Sequence, residues 1–492
     1  MTKTCKELFR GIDCSVIGNE QEQVGGIAYR SDRVQPGDAF FCIVGFNADG
    51  HSFAQDAIDR GARTLVVQRK VYLADATDVT EVVVADTRKA MAAASVNFYE
   101  NPSRDFSLVG ITGTNGKTTT TYLLEHITAV AGKHTGLIGT VGVRIGSVQE
   151  KSEHTTPESP DLQRLFARMR DERCDVVAME VSSHALDLER TWGAQFAVTA
   201  FSNLTQDHLD YHKTFEAYFE AKARLFSKEY PARRVLCIDD EYGVELLRRT
   251  SAAEDNVISV GFDPSAQIHP HSVEYFTTHT CVDLDVRGTH YALDYPLVGK
   301  FNVSNVMLAF GIALQLGIPA ATIVEALATS PQIPGRLQRV AAAHDGEVSV
   351  YVDYAHTPDA LEKAIASVAA LTSGKTLVVF GCGGNRDASK RPIMGRAALA
   401  ADFAVVTSDN PRHENPQAII EAIVGGMGGA SDRFVVEADR RRAIAQAIAL
   451  AQPGDSILIA GKGHEDYQLI GDEVLDFDDT TVAAEELERH FG

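Results

Sequence analysis

The chain has 492 residues, 45% hydrophobic and 23% charged, with a net charge of −21. That length exceeds one ordinary core, so two to four domains are expected, and no run of about 18 apolar residues encodes a membrane span. The acidic balance argues against nucleic acid, whose phosphates demand clustered Lys and Arg, but it permits an anionic small molecule held by local basic residues and backbone N–H groups.

The opening "MTKTCKELFRGIDC" lacks an apolar signal core, so the chain is expected to start near its mature sequence. Seven cysteines with no C-x-x-C fit reduced thiols in a cytoplasmic protein better than disulfides or a zinc site. The first block, to about Arg104, mixes strand-like runs ("DAFFCIVGF", "RTLVVQ", "EVVVAD") with Ala-rich helical stretches. "NPSRDF" at 101–106 has turn chemistry and reads as a linker.

The second block opens with the apolar strand "FSLVGITG", which leads into Gly113-x-x-Gly116-Lys117-Thr118. The usual phosphate loop is longer; its outer glycine would fall at 111, where this chain has Ile. The following helix carries Leu123, Leu124, Ile127 and Val130 on one face and is expected to stop near Gly132. A strand, a glycine turn and a helix N-terminus make an anion site. Lys117 would neutralise terminal phosphates, and the Thr118 hydroxyl would reach Mg²⁺.

Further apolar strands follow, with Glu180 ending "CDVVAME" and His208 in the loop after "FAVTAFSN". A carboxylate and an imidazole at strand ends can hold Mg²⁺, although each alone reads as readily as a hydrogen-bonded structural residue. In "TFEAYFEAKARLFSKEY", Lys222 falls inside a stripe of Phe215, Tyr218, Phe219, Leu225 and Phe226. Such a lysine either snorkels or, partly buried, loses its proton more easily and can react with carbon dioxide to form a carbamate. "CVDLDVRGTHYALDYPL" then reads as an antiparallel hairpin or meander, and "NVSNVMLAFGIALQLG" as an apolar helix.

From "SPQIPGRLQRV" onward a strand-loop-helix rhythm argues for a parallel, doubly wound sheet, with ligands at the carboxyl ends of its strands. Three loops there look chemically directed: "GCGGNRDASKRP" with Arg386, "TSDNPRHENP" with Asp409, Asn410 and Arg412, and "GKGHED" with Gly461 and Glu465. Arginine forks suit carboxylates, and Asp409 and Glu465 could receive an ammonium group. Together these suit an amino acid, whereas any one loop alone could be a solvated turn.

"TGTNGKTTTT" resembles the ATP loop of the Mur ligase family, and the resemblance extends along nearly the whole chain. It implies an α/β protein of three domains. These would be a UDP-substrate domain (1–104), a central P-loop ATPase-type domain with a parallel sheet (105–332), and a Rossmann-like amino-acid domain (333–492). ATP would lie on Gly113, Thr114, Asn115, Gly116, Lys117, Thr118 and Thr119, with Asn305, Arg336 and Asp353 around adenine, phosphate and ribose. Two Mg²⁺ ions are implied: Thr118 and Glu180 serve the first, and Glu180 or His208 serves the second with a carbamylated Lys222. Lys117, Lys222, Glu180 and His208 would thus be the catalytic group.

By the same resemblance Ser31, Thr155, Thr156, Ser182 and Arg190 would hold UDP-MurNAc-L-Ala-D-Glu. Two departures stand out: Leu188 replaces a polar residue, and Arg30-Ser31-Asp32 exchanges the charges of the family's D-S-R. Arg386, Asp409, Asn410, Arg412, Gly461 and Glu465 would hold the incoming amino acid. Asp-Asn-Pro-Arg looks like the version found in members that add meso-diaminopimelate, whose second carboxylate Arg412 would match. The implied reaction is ATP-dependent amide formation through an acyl phosphate, by a monomer with small-molecule partners and no nucleic acid or membrane. Rival readings are an L-lysine-adding or folate-polyglutamate or cyanophycin type ligase, and a regulatory P-loop ATPase. The chain lacks the N-K-x-D motif of a guanine-specific switch.

Overall fold

Strands buried on both faces read as continuous apolar runs, because neither face can afford a polar residue. Several such runs recur here as the strands of parallel-dominated sheets. The computed structural model describes residues 1–46, 48–71, 78–250, 256–340, 348–429 and 432–491. It divides into two compact units. The first comprises Met1–Thr112, Gly132–Ala200 and Phe219–Arg234; the second comprises Gly113–Ala131, Phe201–Tyr218 and Val235–Gly492.

In the first unit β1 (Cys14–Ile17), β2 (Ile27–Ala28), β3 (Ala39–Phe41), β4 (Thr64–Val67) and β5 (Thr80–Val84) form a sheet in the order β1-β5-β4-β3-β2. Only β1 runs antiparallel. Helix α1 (Thr87–Tyr99) is N-capped by Asp86, whose carboxylate accepts from Arg88 and Lys89 N–H groups. The "NPSRDF" linker is a packed 3₁₀ turn: Pro102 and Ser103 are buried, and the Ser103 hydroxyl accepts from Gln195 N–H at 3.0 Å.

β6 (Ser107–Thr112) leads to helix α2 (Lys117–Val130), which belongs to the second unit. In the first unit follow β7 (Thr135–Gly139), β8 (Gly142–Ile145), β9 (Val148–Glu150), β10 (Val176–Glu180) and all but the last residue of β11 (Phe196–Phe201). β10 pairs in parallel with β6 on one side and β7 on the other, while β8 and β9 add antiparallel ribbons. Glu180 sits in register with Ile111, at the carboxyl edge of these strands.

Two sequence expectations need correction. Val130 is 38% exposed, because α2 ends there and its last turn passes the edge of the core. The stripe around Lys222 is not one helical face: helix α3 (Phe215–Ala223) ends and a 3₁₀ turn, Arg224–Phe226, carries Leu225 and Phe226. Phe215 itself is only half-buried.

In the second unit β12 (Ile268–Tyr275), β13 (Thr280–Val286) and β14 (Thr289–Tyr295) form the expected antiparallel meander. Helix α4 (Lys300–Gln315) packs against α2. The C-terminal sheet contains β15 (Gln338–Arg339), β16 (Ser349–Asp353), β17 (Thr376–Phe380), β18 (Phe403–Val406), β19 (Phe434–Val436) and β20 (Ser456–Ala460), in the order β15-β16-β20-β17-β18-β19. All its neighbours pair in parallel except β15 and β16. Alternate residues feed two cores. Tyr351, Val378, Phe380 and Leu458 meet Leu361, Met394 and Ile423 on one face. Val350, Val352, Leu377 and Ile457 meet Ile444, Ile448 and Leu487 on the other. A sheet wound on both faces in this way is Rossmann-like.

Candidate active site

The glycine loop is built so that side chains cannot enter it. Gly113 and Gly116 have φ of 146° and 87°. A Cβ on Gly113 would lie 1.9 Å from Ser202 Oγ, and one on Gly116 would lie 2.2 Å from Asn305 Oδ1. The loop is anchored by Thr114 N–H donating to Asn203 O (2.8 Å) and Asn115 N–H donating to Asn203 Oδ1 (3.0 Å). Lys117 Nζ donates to Gly113 O at 2.9 Å and Thr114 O at 2.8 Å, which folds its ammonium over the loop. The next residue's hydroxyl, Thr118 Oγ1, accepts from Arg336 Nη2 at 3.1 Å, so the expected γ-phosphate arginine reaches the loop. Thr119 is buried within the helix.

Asp353 ends β16 and accepts the Leu337 and Ala355 N–H groups at 2.7 and 2.8 Å; burial pushes its carboxyl upward. The Arg336 guanidinium stacks on Tyr354, 4.8 Å from the ring centroid. His208 sits in the left-handed region, exposed, with Nε2 3.4 Å from Asp207.

In the first unit, Thr155, Thr156, Glu180, Ser182 and Arg190 converge. The Glu180 carboxylate accepts the Thr140 N–H at 2.9 Å and the Thr140 hydroxyl at 3.0 Å, and that hydroxyl contacts Thr155 Oγ1 at 3.1 Å. Thr156 Oγ1 donates to Glu180 O (2.8 Å) and accepts the Ser182 N–H (3.0 Å). Arg190 donates to Thr156 O (3.0 Å) and pairs with Glu158 at 2.8 Å. Lys222 is 1% exposed, so the snorkelling alternative fails: its amine is inside. Ser31 begins a short 3₁₀ turn, and its hydroxyl leads the contacts that lower the Asp56 carboxyl. Its exchanged neighbours, Arg30 and Asp32, pair with each other at 2.8 Å.

The three directed loops of the second unit meet at the carboxyl ends of β17, β18 and β20. Gly384 N–H donates to Asn410 O at 2.9 Å, and Arg412 Nη1 donates back to Gly384 O at 2.9 Å. Arg412 is left-handed (φ 53°) and held by its backbone to Leu469 and Gly471. Both Arg412 and the exposed Arg386 flank Gly383. Opposite in charge, Glu465 accepts from Asn410 Nδ2 at 2.7 Å, and burial raises its carboxyl above the ordinary value. Gly461 (φ 115°) must lack a side chain, since a Cβ would lie 2.7 Å from Asp409 Oδ2.

Three family models match the chain in succession: "Mur ligase family, catalytic domain" over 23–108, "Mur ligase middle domain" over 111–313 and "Mur ligase, glutamate ligase domain" over 335–463. A relative from Clostridium botulinum, a UDP-N-acetylmuramoyl-L-alanyl-D-glutamate--2,6-diaminopimelate ligase, is 40% identical over 480 residues, covering 97% of this chain and 98% of its own. The chain belongs to the Mur ligase family. A like-named relative of this Mur ligase from Gloeobacter violaceus is 44% identical, covering 95% of this chain and 94% of its own. A solved structure titled with the same ligase name covers 100% of both chains at 30% identity and a TM-score of 0.71. A MurF ligase from Thermotoga maritima in complex with ADP shares the fold, at 18% identity, a TM-score of 0.60 and coverage of 95% of this chain and 96% of its own.

Several residues of the site escaped the sequence reading. Lys462 is wholly buried, with Nζ 3.3 Å from Asn410 Oδ1 and 3.4 Å from Glu465 Oε2, and it also donates to Tyr467 O. The signal was available, since a lysine directly after the apolar run "SILIAG" stands at the strand's carboxyl end. Thr140, which holds Glu180, and Glu158, which holds Arg190, carry no motif and depend on the fold.

Proposed function

We propose that this Mur ligase joins meso-2,6-diaminopimelate to the D-glutamyl γ-carboxylate of UDP-MurNAc-L-Ala-D-Glu, using ATP, in peptidoglycan precursor synthesis. The observation that carries the reading is the pairing of two arginines at Gly383 with the buried Asn410 and Lys462 and the partly buried Glu465. That arrangement offers carboxylate receptors beside an ammonium receptor. A lysine substrate would leave one carboxylate receptor without its counter-charge.

A carboxylate does not react with an amine at neutral pH, so it must first become an acyl donor. The γ-carboxylate attacks the γ-phosphate, giving an acyl phosphate and ADP; the amine then attacks the acyl carbon and expels phosphate. Lys117 and Arg336 offset the charge that gathers as two anions approach. Thr155, Thr156, Ser182 and Arg190 orient the dipeptide end, and Ser31 the uridine end. Catalysis is then mostly positioning.

The glycine cradle fits a polyphosphate, and Thr118 and Glu180 are each, by chemistry, the kind of oxygen donor that a hard cation such as Mg²⁺ takes. When bound, Mg²⁺ would screen the phosphate charges. His208 is exposed enough to serve as a further ligand, and the buried Lys222 amine suits carbamylation. We place three domains at 1–104, 105–332 and 333–492, in a cytoplasmic monomer. Among the described residues no helix is long and apolar enough to cross a membrane.

The test is product analysis with Mg-ATP, the UDP-dipeptide and diaminopimelate, adding hydroxylamine when the amino acid is withheld. A tripeptide product with stoichiometric ADP and phosphate, and a hydroxamate in the trapped reaction, are expected. Phosphate release independent of both substrates would return the chain to the regulatory ATPase reading.

A further inference from the structure

The outer face of the β12–β14 meander carries a side-chain group that amide ligation does not use. Cys281 on β13 and Asp294 on β14 are direct partners across the strands, so their side chains share a face. Glu274 on β12 is the partner of Cys281 on its other side. His279 stands in the turn just before β13. One ligand atom each from His279, Cys281 and Asp294 lie within 4.8 Å of one another, with His279 Nε2 3.9 Å from Asp294 Oδ1.

The imidazole is already oriented. Its Nδ1 pairs with the Thr278 hydroxyl at 2.9 Å, which leaves Nε2 as the atom facing the group. Its ring stacks on Phe276, with centroids 4.4 Å apart and planes 7° from parallel. The turn is closed by Phe276 N–H donating to His279 O at 3.0 Å and is tied to β16 by the Tyr351 hydroxyl donating to Thr277 O at 2.9 Å. Cys281 is a free thiol.

We propose that His279, Cys281 and Asp294 form a binding site for a borderline-soft divalent cation, with Zn²⁺ the best match. Imidazole, thiolate and carboxylate together suit Zn²⁺, whereas Mg²⁺ strongly favours oxygen ligands and does not take thiolate. Tetrahedral Zn²⁺ with bonds of about 2.0–2.3 Å holds its ligand atoms roughly 3.2–3.8 Å apart. The observed separations, up to 4.8 Å, exceed that range by about 1 Å, a gap that small side-chain rotations on the turn and strand pair would close. Water or Glu274 would complete the fourth position. A metal-bound histidine is usually held through its other ring nitrogen by an oxygen acceptor, a place the Thr278 hydroxyl can fill. The site carries no zinc spacing in sequence because its ligands come from a turn and two strands.

Co²⁺ titrated into the full-length reduced protein, with Mg²⁺ in excess to occupy oxygen-ligand sites, tests this through the thiolate-to-cobalt charge-transfer band. One equivalent should saturate the band, and Zn²⁺ should displace it. Cys281→Ser should abolish it, His279→Gln should remove or greatly weaken it, and Thr278→Val should weaken Co²⁺ binding about 10–100-fold. Circular dichroism on each variant separates loss of binding from loss of fold, and two independent ligand variants guard against one failing to fold. Absence of the band in the folded wild type, or its persistence in folded Cys281→Ser, would overturn the assignment.

Discussion

Lys462→Met is the substitution whose consequences can be worked furthest. The lysine is fully buried and binds Asn410, Glu465 and the Tyr467 carbonyl, so methionine fills the stem's space but leaves those acceptors without their cation. Removing one partner of a buried ion pair costs about 3–5 kcal/mol. The Nζ–Glu465 distance of 3.4 Å places this pair at the low end, about 3 kcal/mol. For a cooperative unit of this size that lowers Tm by about 6–12 °C.

The pH dependence has a definite sign. Burial already raises the Glu465 carboxyl above its ordinary 4.5, and Lys462 is the leading opposing influence. The native state therefore holds this proton more tightly than the unfolded chain does. The resulting stabilisation is full at low pH and is lost as pH climbs from 4.5 through the raised value. Without Lys462 that window extends upward, so the Tm gap between variant and wild type should widen with pH. Thermal melts across pH and the KM for diaminopimelate are the assays, and KM should rise because Glu465 and Asn410 lose the cation that holds them in place. A Tm within about 2 °C of wild type with unchanged KM would refute the reasoning.

Three further outcomes follow from the same geometry. Gly116→Ala places a Cβ 2.2 Å from Asn305 Oδ1 at a φ of 87°, so about 1–3 kcal/mol of strain and weaker ATP binding are expected, read by nucleotide titration. Lys222→Ala should nearly abolish ligation, with partial rescue by a small carboxylic acid; full activity without additive would reject the carbamate. Arg412→Leu should lower kcat/KM for diaminopimelate by about 2–4 kcal/mol, roughly 30–1,000-fold, while changing that for L-lysine far less.

The C-terminal sheet was legible because its central strands are nearly continuous apolar runs, each leading into a polar loop. The glycine loop was legible for the same reason, with strand, turn and helix contiguous in sequence. Lys222 was singled out by its apolar neighbours, although part of that stripe lies on a 3₁₀ turn that periodicity could not reveal. Residues acting through other residues were the hardest to read. Thr140 reaches Glu180 across 40 positions, and Lys462 reaches Asn410 across 52, so neither spacing exists in one dimension. The pairing of Arg30 with Asp32 is local and visible, but only the structure shows that the exchanged charges satisfy each other.

The most direct test compares phosphate release with meso-diaminopimelate and with L-lysine, side by side, in the presence of Mg-ATP and UDP-MurNAc-L-Ala-D-Glu. Release that depends on the amino acid and strongly favours diaminopimelate is the expected result. Equal or greater turnover with L-lysine would contradict the role given to Arg412 and with it the assigned substrate.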